Sequence, residues 1–185
     1  ISLGLTPDLL LLHWPKPSPS FAETIGALNE ARDQGFTRNI GLSNFPSAQF
    51  RQAAALSKAP LVTNQVEYHP YLDQTAVINA ARKAGLAVTA YYGMADGKVF
   101  DDPALKDIAA RHGKSVAQVV LRWLVQQDGV ITLSKTVSAV RAAENFAIFD
   151  FSLTPSEMAA IHALARPEGR IVSPEGLAPV WDKVA

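Results

Sequence analysis

The stretch Leu61–Met94, LVTNQVEYHPYLDQTAVINAARKAGLAVTAYYGM, decides the fold. It opens on "LVTNQVEYHP", a short run that reads as a strand. "DQTAVINAARKAGL" follows at helical spacing and ends at Gly85, and "AVTAYYGM" is a second strand. The same alternation continues upstream. "DLLLLHW" reads as a strand buried on both faces. "SFAETIGALNEARDQGF" is a helix with Phe21, Ile25 and Leu28 on one face and Gly35 as its C-cap. "TRNIGLSNF" is a strand, and "PSAQFRQAAALSKA" a helix with Pro46 near its start. Downstream, "PALKDIAARHG" and "SVAQVVLRWLVQQ" are helical pieces broken at Gly113. "VITLSK" is a fifth strand and "VSAVRAAENFAI" the helix after it. "TPSEMAAIHALA" is a further helix, with Thr154 as N-cap, Pro155 at its first position and Glu157 completing a capping box.

Strand and helix alternating five times imply an α/β fold with a parallel sheet. The strands lack clean in/out alternation, as strands covered on both faces do. Two architectures fit: an open doubly wound sheet or a (β/α)8 barrel. The doubly wound nucleotide folds carry G-x-G-x-x-G, which is absent here. "GMADGK" is too short for a P-loop, and Val99 follows its Lys where Ser or Thr is required. The Pro/Gly-rich stretch after residue 165 reads as an ordered loop.

Composition narrows the function. The 185 residues are 48% hydrophobic, enough for one sizeable core. Seventeen basic residues balance seventeen acidic ones, which argues against a nucleic-acid or acidic-membrane partner. There is no cysteine, so neither a disulfide scaffold nor a thiolate zinc site is available. No apolar run is long enough to span a bilayer. The chain begins with Ile and shows no signal peptide, so the expectation is a cytoplasmic protein whose natural N-terminus is missing.

Each strand ends in groups that a pure core would not select: His13-Trp14, Ser43-Asn44, Asn64-Gln65 with Glu67, Tyr91-Tyr92, and Ser134-Lys135. In parallel α/β folds, function sits at the C-terminal ends of strands. Taken singly, each could be a polar group satisfied by a neighbouring loop. Five in succession imply a ring around one mouth. Lys135 and Arg141 flank Thr136 and the start of a helix, a combination suited to phosphate. His69 in "EYHP" has no partner at metal-ligand spacing and reads as structural, as do His112 and His162.

These motifs resemble the aldo-keto reductases nearly end to end. "LLLLHWP" looks like that family's fourth barrel strand, "IGLSNF" its fifth, "NQVEYHPY" its sixth and "AYYGM" its seventh. "SKTVSAVRAAEN" looks like the eighth strand and the helix after it. Within the family, "RIVSPEGLAPVWD" and "YYGMADGKV" look most like the bacterial 2,5-diketo-D-gluconate reductase B and methylglyoxal reductase group. The resemblance implies a (β/α)8 TIM barrel of which this chain holds only the last five βα units. Residues 1–165 would then be the partial barrel and 166–185 a substrate-specificity tail.

The implied reaction is NADPH-dependent reduction of an aldehyde or ketone, with 2,5-diketo-D-gluconate or methylglyoxal-like molecules as substrates. Of the family's catalytic tetrad only His13 is present. The Asp, Tyr and Lys would belong to the missing strands, so the chain alone would be inactive. By resemblance, Ser43, Asn44 and Gln65 grip the nicotinamide carboxamide and Tyr91 stacks on the ring. Lys135, Thr136 and Arg141 hold the 2′-phosphate of NADP, with Glu144 and Asn145 near the adenine. Trp14 and Trp181 wall the substrate pocket, and Arg170 is a further candidate for substrate contact. The family usually has Pro and Ser flanking this Lys. Here they are Ser134 and Thr136, which would loosen cofactor preference.

The implied partners are a small carbonyl substrate and the cofactor, with no nucleic acid, no membrane and a monomeric full-length protein. A second reading is a catalytically inactive NADP-binding regulatory or sensor protein on the same barrel. A third, a metal-dependent barrel hydrolase, lacks its ligand cluster.

Overall fold

The computed structural model describes residues 5–16 and 18–183. Ile1 and the last two residues of the tail lie outside the described residues. Five strands form one sheet in chain order: β1 (Leu9–Leu12), β2 (Asn39–Ser43), β3 (Leu61–Glu67), β4 (Ala87–Tyr91) and β5 (Val130–Thr132). Between and after them lie α1 (Phe21–Asp33), α2 (Ser47–Leu56), α3 (Thr75–Lys83), α4 (Pro103–His112), α5 (Val116–Val125), α6 (Ala139–Phe146) and α7 (Pro155–His162). A kinked 3-10 segment, Ala95–Asp101, carries Asp96 and Gly97 in left-handed conformation, so "GMADGK" is a turn structure.

The chain divides into two compact units. The first runs to Val66 and takes in Thr75–Val88 and Ser173–Lys183; the second takes in Glu67–Gln74 and Thr89–Val172. The tail after residue 165 is therefore shared between them.

In the first unit β1, β2 and β3 are parallel. Leu9 pairs with Asn39 and Leu12 with Leu42, then Leu42 with Asn64 and Ser43 with Gln65, after an irregularity between Ile40 and Leu42. Ile25, Ile40, Leu42, Phe45 and Phe50 are fully buried and form the centre of its core. Gly41 is required by close approach: a Cβ there would lie 2.8 Å from a Leu11 methyl and 2.9 Å from the Thr63 carbonyl. Ser20 and Glu23 make a reciprocal capping box at α1.

Burial of β1 on both faces is overturned. Leu9 and Leu10 are 39% and 38% exposed, whereas the last four residues of β2 are buried. The cause is position in the sheet: β1 is the first strand of the order and pairs only with β2 among the described residues.

In the second unit, α5 packs Val119, Val120, Leu121, Trp123 and Leu124 into the core. The Trp123 ring lies 4.9 Å from that of Tyr68, whose hydroxyl donates to Gln127 at 2.8 Å. Asp102 caps α4, and Gly113 ends it in left-handed conformation. The Thr154–Glu157 box at α7 forms as expected. Strand β5 is shorter than "VITLSK": it stops at Thr132, so Lys135 lies in the loop beyond it. The Leu133 N–H still bonds the Ala90 carbonyl at 2.9 Å.

Candidate active site

In the first unit, the end of β1 and the end of β2 are tied together. His13 follows the last residue of β1 and its side chain is exposed. Asn44 follows β2 with φ 63, a conformation that asparagine tolerates better than most residues. Its side-chain amide donates to the His13 carbonyl at 3.0 Å and to the Ser43 hydroxyl oxygen at 3.1 Å. Ser43 donates its hydroxyl to the Gln65 carbonyl at 2.9 Å, and the Asn44 N–H bonds that carbonyl at 2.9 Å. His13, Ser43, Asn44 and Gln65 are thus joined in one short network. Trp14 meets Trp181 edge-on at 6.2 Å, and the Trp181 indole N–H donates to Ser173 at 3.2 Å.

Asn64, beside Gln65, is fully buried and serves the backbone. Its amide donates to the Phe45 carbonyl at 2.8 Å and its oxygen accepts from the Phe45 N–H at 3.4 Å. It fixes the turn after β2 that carries Asn44 and Phe45, a role that composition at a strand end does not distinguish from ligand binding.

In the second unit, Lys135, Thr136, Arg141, Glu144 and Asn145 line one cleft of about 550 Å³ together with Met94. Ser138 caps α6, accepting from the Arg141 N–H at 3.3 Å, and Thr136 accepts from the Ser138 N–H at 3.1 Å. Asn145 donates to Ser134 at 2.9 Å. A neighbouring cleft of about 470 Å³ is lined by Tyr91, Tyr92, Met94 and Lys135, so Lys135 and Met94 face both spaces. Tyr91 ends β4. Burial, reinforced by the charge of Glu67 and opposed by that of Arg170, pushes its phenol up to about 12, so the ring is uncharged at neutral pH. Tyr92 has φ 64 and bonds Asp96 through its hydroxyl.

Glu67, the last residue of β3, is fully buried and holds the tail. Its carboxylate accepts from the Ile171 N–H at 2.7 Å, the Val172 N–H at 2.9 Å and the Arg170 guanidinium at 3.4 Å, and pairs with His69 at 2.9 Å. Arg170 is committed to this carboxylate. His69 is buried as a partner of Glu67, and no group of three metal-ligating side chains exists among the described residues. Sequence reading missed Glu67 as a hub because its partners are backbone amides about a hundred residues away.

A profile for the aldo/keto reductase family matches residues 3–166. The chain belongs to the aldo/keto reductase family. Methylglyoxal reductase DkgB of Yersinia pestis is 41% identical over 178 residues, covering 95% of this chain and 66% of that protein. A crystal structure described as a 2,5-diketo-D-gluconic acid reductase B is 61% identical with a TM-score of 0.95, covering 97% of this chain and 64% of that one. Gox0644, in a mutant form bound to NADPH, superposes with a TM-score of 0.83 at 35% identity, covering 90% of this chain and 61% of that one. The chain thus spans just under two thirds of the length of these relatives. Its α/β order and parallel sheet agree with the barrel of the aldo/keto reductases.

Proposed function

We propose that this chain is the C-terminal portion of an NADPH-dependent carbonyl reductase, acting on small aldehydes or ketones of the methylglyoxal or 2,5-diketo-D-gluconate type. One observation carries the reading: Lys135, Thr136, Arg141, Glu144 and Asn145 converge on one cleft at the start of α6, in a chain of the aldo/keto reductase family. Two cations and a helix N-terminus suit a phosphate monoester, which distinguishes NADPH from NADH. When bound, the cofactor supplies a hydride from its nicotinamide.

The chain's own residues position that chemistry. The Asn44 NH2 donates to the His13 carbonyl and to the Ser43 hydroxyl, which fixes its side-chain amide at the strand ends where a carboxamide would be met. Gln65 supplies a second amide and Tyr91 an uncharged ring for stacking. Orientation of this kind can contribute several kcal/mol, on the order of 7–11 in favourable cases. His13, whose carbonyl is held by Asn44, presents its imidazole to donate a hydrogen bond to the substrate oxygen as negative charge develops there. Trp14 and Trp181 wall the substrate.

The five strands correspond to the last five of a (β/α)8 barrel, residues 1–165, with 166–185 as the specificity tail. The remaining three βα units, bearing the Asp, Tyr and Lys, account for the additional length of the relatives. The complete protein is a cytoplasmic monomer, and this chain alone binds cofactor without turnover.

The test is cofactor titration. Lys135→Ala and Arg141→Ala each lower NADPH affinity about 10- to 100-fold, the loss of one charge-assisted contact, and change NADH affinity little. Equal losses for both cofactors would overturn the assignment. Loss of NADPH absorbance with methylglyoxal, on a polypeptide including the upstream strands, separates an enzyme from a silent NADP-binding sensor, which binds and does not turn over.

A further inference from the structure

Glu67 lies at the end of β3 with its side chain at 0% exposure, yet none of the cofactor or carbonyl chemistry above uses it. Besides the His69 ring, its side-chain bonds run to one segment: the guanidinium of Arg170 and the backbone of Ile171 and Val172. That segment has no helix or strand to hold it. A second contact fixes it four to six residues earlier, at Arg166. The Arg166 N–H bonds the Tyr71 carbonyl at 3.2 Å, and its guanidinium lies 4.9 Å above the Tyr71 ring. Gly169 then passes so near that a Cβ would fall 1.7 Å from the Tyr71 carbonyl oxygen, so only glycine fits. Tyr71 is itself tied down, its hydroxyl donating to Asp102 at 3.0 Å. Both contacts lie within the second unit, and the charges of Glu67 and Arg170 both act on Tyr91.

We propose that Glu67 is a positioning residue: with Tyr71 it clamps the segment Arg166–Val172 beside Tyr91, and this clamp sets how tightly the carbonyl substrate is held. A buried carboxylate satisfied by two backbone N–H groups and a guanidinium defines the height and register of a segment that its own sequence leaves irregular. The inference rests on the reductase reading for its effect on substrate; the clamp itself is testable without catalysis.

Trypsin reports the clamp, because Arg170 is held with its side chain 15% exposed. Glu67→Gln keeps the volume but replaces one acceptor by a donor facing an N–H. It should raise the rate of cleavage after Arg170 at least fivefold, with the circular dichroism spectrum unchanged. Gly169→Ala, which alters no charge, should do the same. In the wild-type protein the Ile171 and Val172 amides should exchange at least 100-fold more slowly than free amides, a measurement that needs no variant. In the complete reductase both variants should raise KM for the carbonyl substrate at least fivefold and leave NADPH affinity within twofold. Wild-type cleavage rates in both variants, or rapid exchange at Ile171 and Val172, would overturn the clamp. Released tails with an unchanged KM would overturn its role with substrate. Absence of any turnover in the complete wild-type reductase would refute the reductase reading while proteolysis and exchange still decide the clamp.

Discussion

At the scale of single residues, carboxylates do the most structural work in the second unit. Glu157 illustrates it. Burial by itself would raise its pKa, but hydrogen bonds from His112, Thr154 and Arg111 outweigh that and hold it down to about 2, from an ordinary 4.5. A carboxyl whose folded pKa is depressed stabilises the protein above its unfolded pKa and loses that contribution as pH falls toward the folded one. The window is therefore pH 4.5 down to 2. Thermal melts should show stability falling through this window by on the order of 2 kcal/mol from this group. Glu157→Gln should flatten that part of the profile, and an unchanged profile in the variant would refute the role. The Thr154–Glu157 box was legible in the sequence as S/T-x-x-E spacing, but Arg111 and His112 as partners were not, since they come from another helix.

At the scale of elements, the caps explain why most boundaries could be read. Ser20 with Glu23, Asp102, Ser115 with Gln118 and Thr154 with Glu157 all cap locally, through residues within three positions of the helix start. Helix α2 differs from these four. Its N-cap is Pro46, which offers no side-chain acceptor. The acceptor comes from the tail: Asp182 takes the Ser47 N–H at 2.8 Å and the Ser47 hydroxyl at 2.7 Å, placing a negative charge at the positive end of the helix. Asp182→Ala should cost about 1 kcal/mol in chemical denaturation, and Asp182→Asn, which keeps one acceptor, should recover part of it. No loss in the alanine variant would show that water replaces the cap.

At the scale of the whole molecule, both ends of the strand order expose apolar side chains. In the first unit Leu9 and Leu10 are 39% and 38% exposed on β1; in the second Ile131 and Leu133 are 52% and 49% exposed at β5, near Phe146 and Phe149 at 76% and 64%. Apolar side chains and unpaired strand edges of this kind favour association. The isolated 19.9 kDa chain is expected to self-associate in size-exclusion chromatography and to bind hydrophobic dyes. A polypeptide that includes the upstream strands should do neither. A well-behaved monomer of the isolated chain would overturn the proposal that three further βα units complete the barrel.

The sequence by itself determined the order of strands and helices, because apolar period, caps and turn glycines act over a few residues, and it determined the family, because "GLSNF" and "NQVEYHPY" are local strings. By resemblance it also singled out five of the residues that line the cleft at α6, which lie within eleven positions of one another. Only the tertiary structure decided that the β1 leucines are half exposed, that Arg170 turns to Glu67 and that Asp182 caps α2. Each of these depends on a partner distant in sequence or on a strand's place in the sheet, and neither side-chain pattern nor spacing encodes which distant backbone amide a carboxylate will meet.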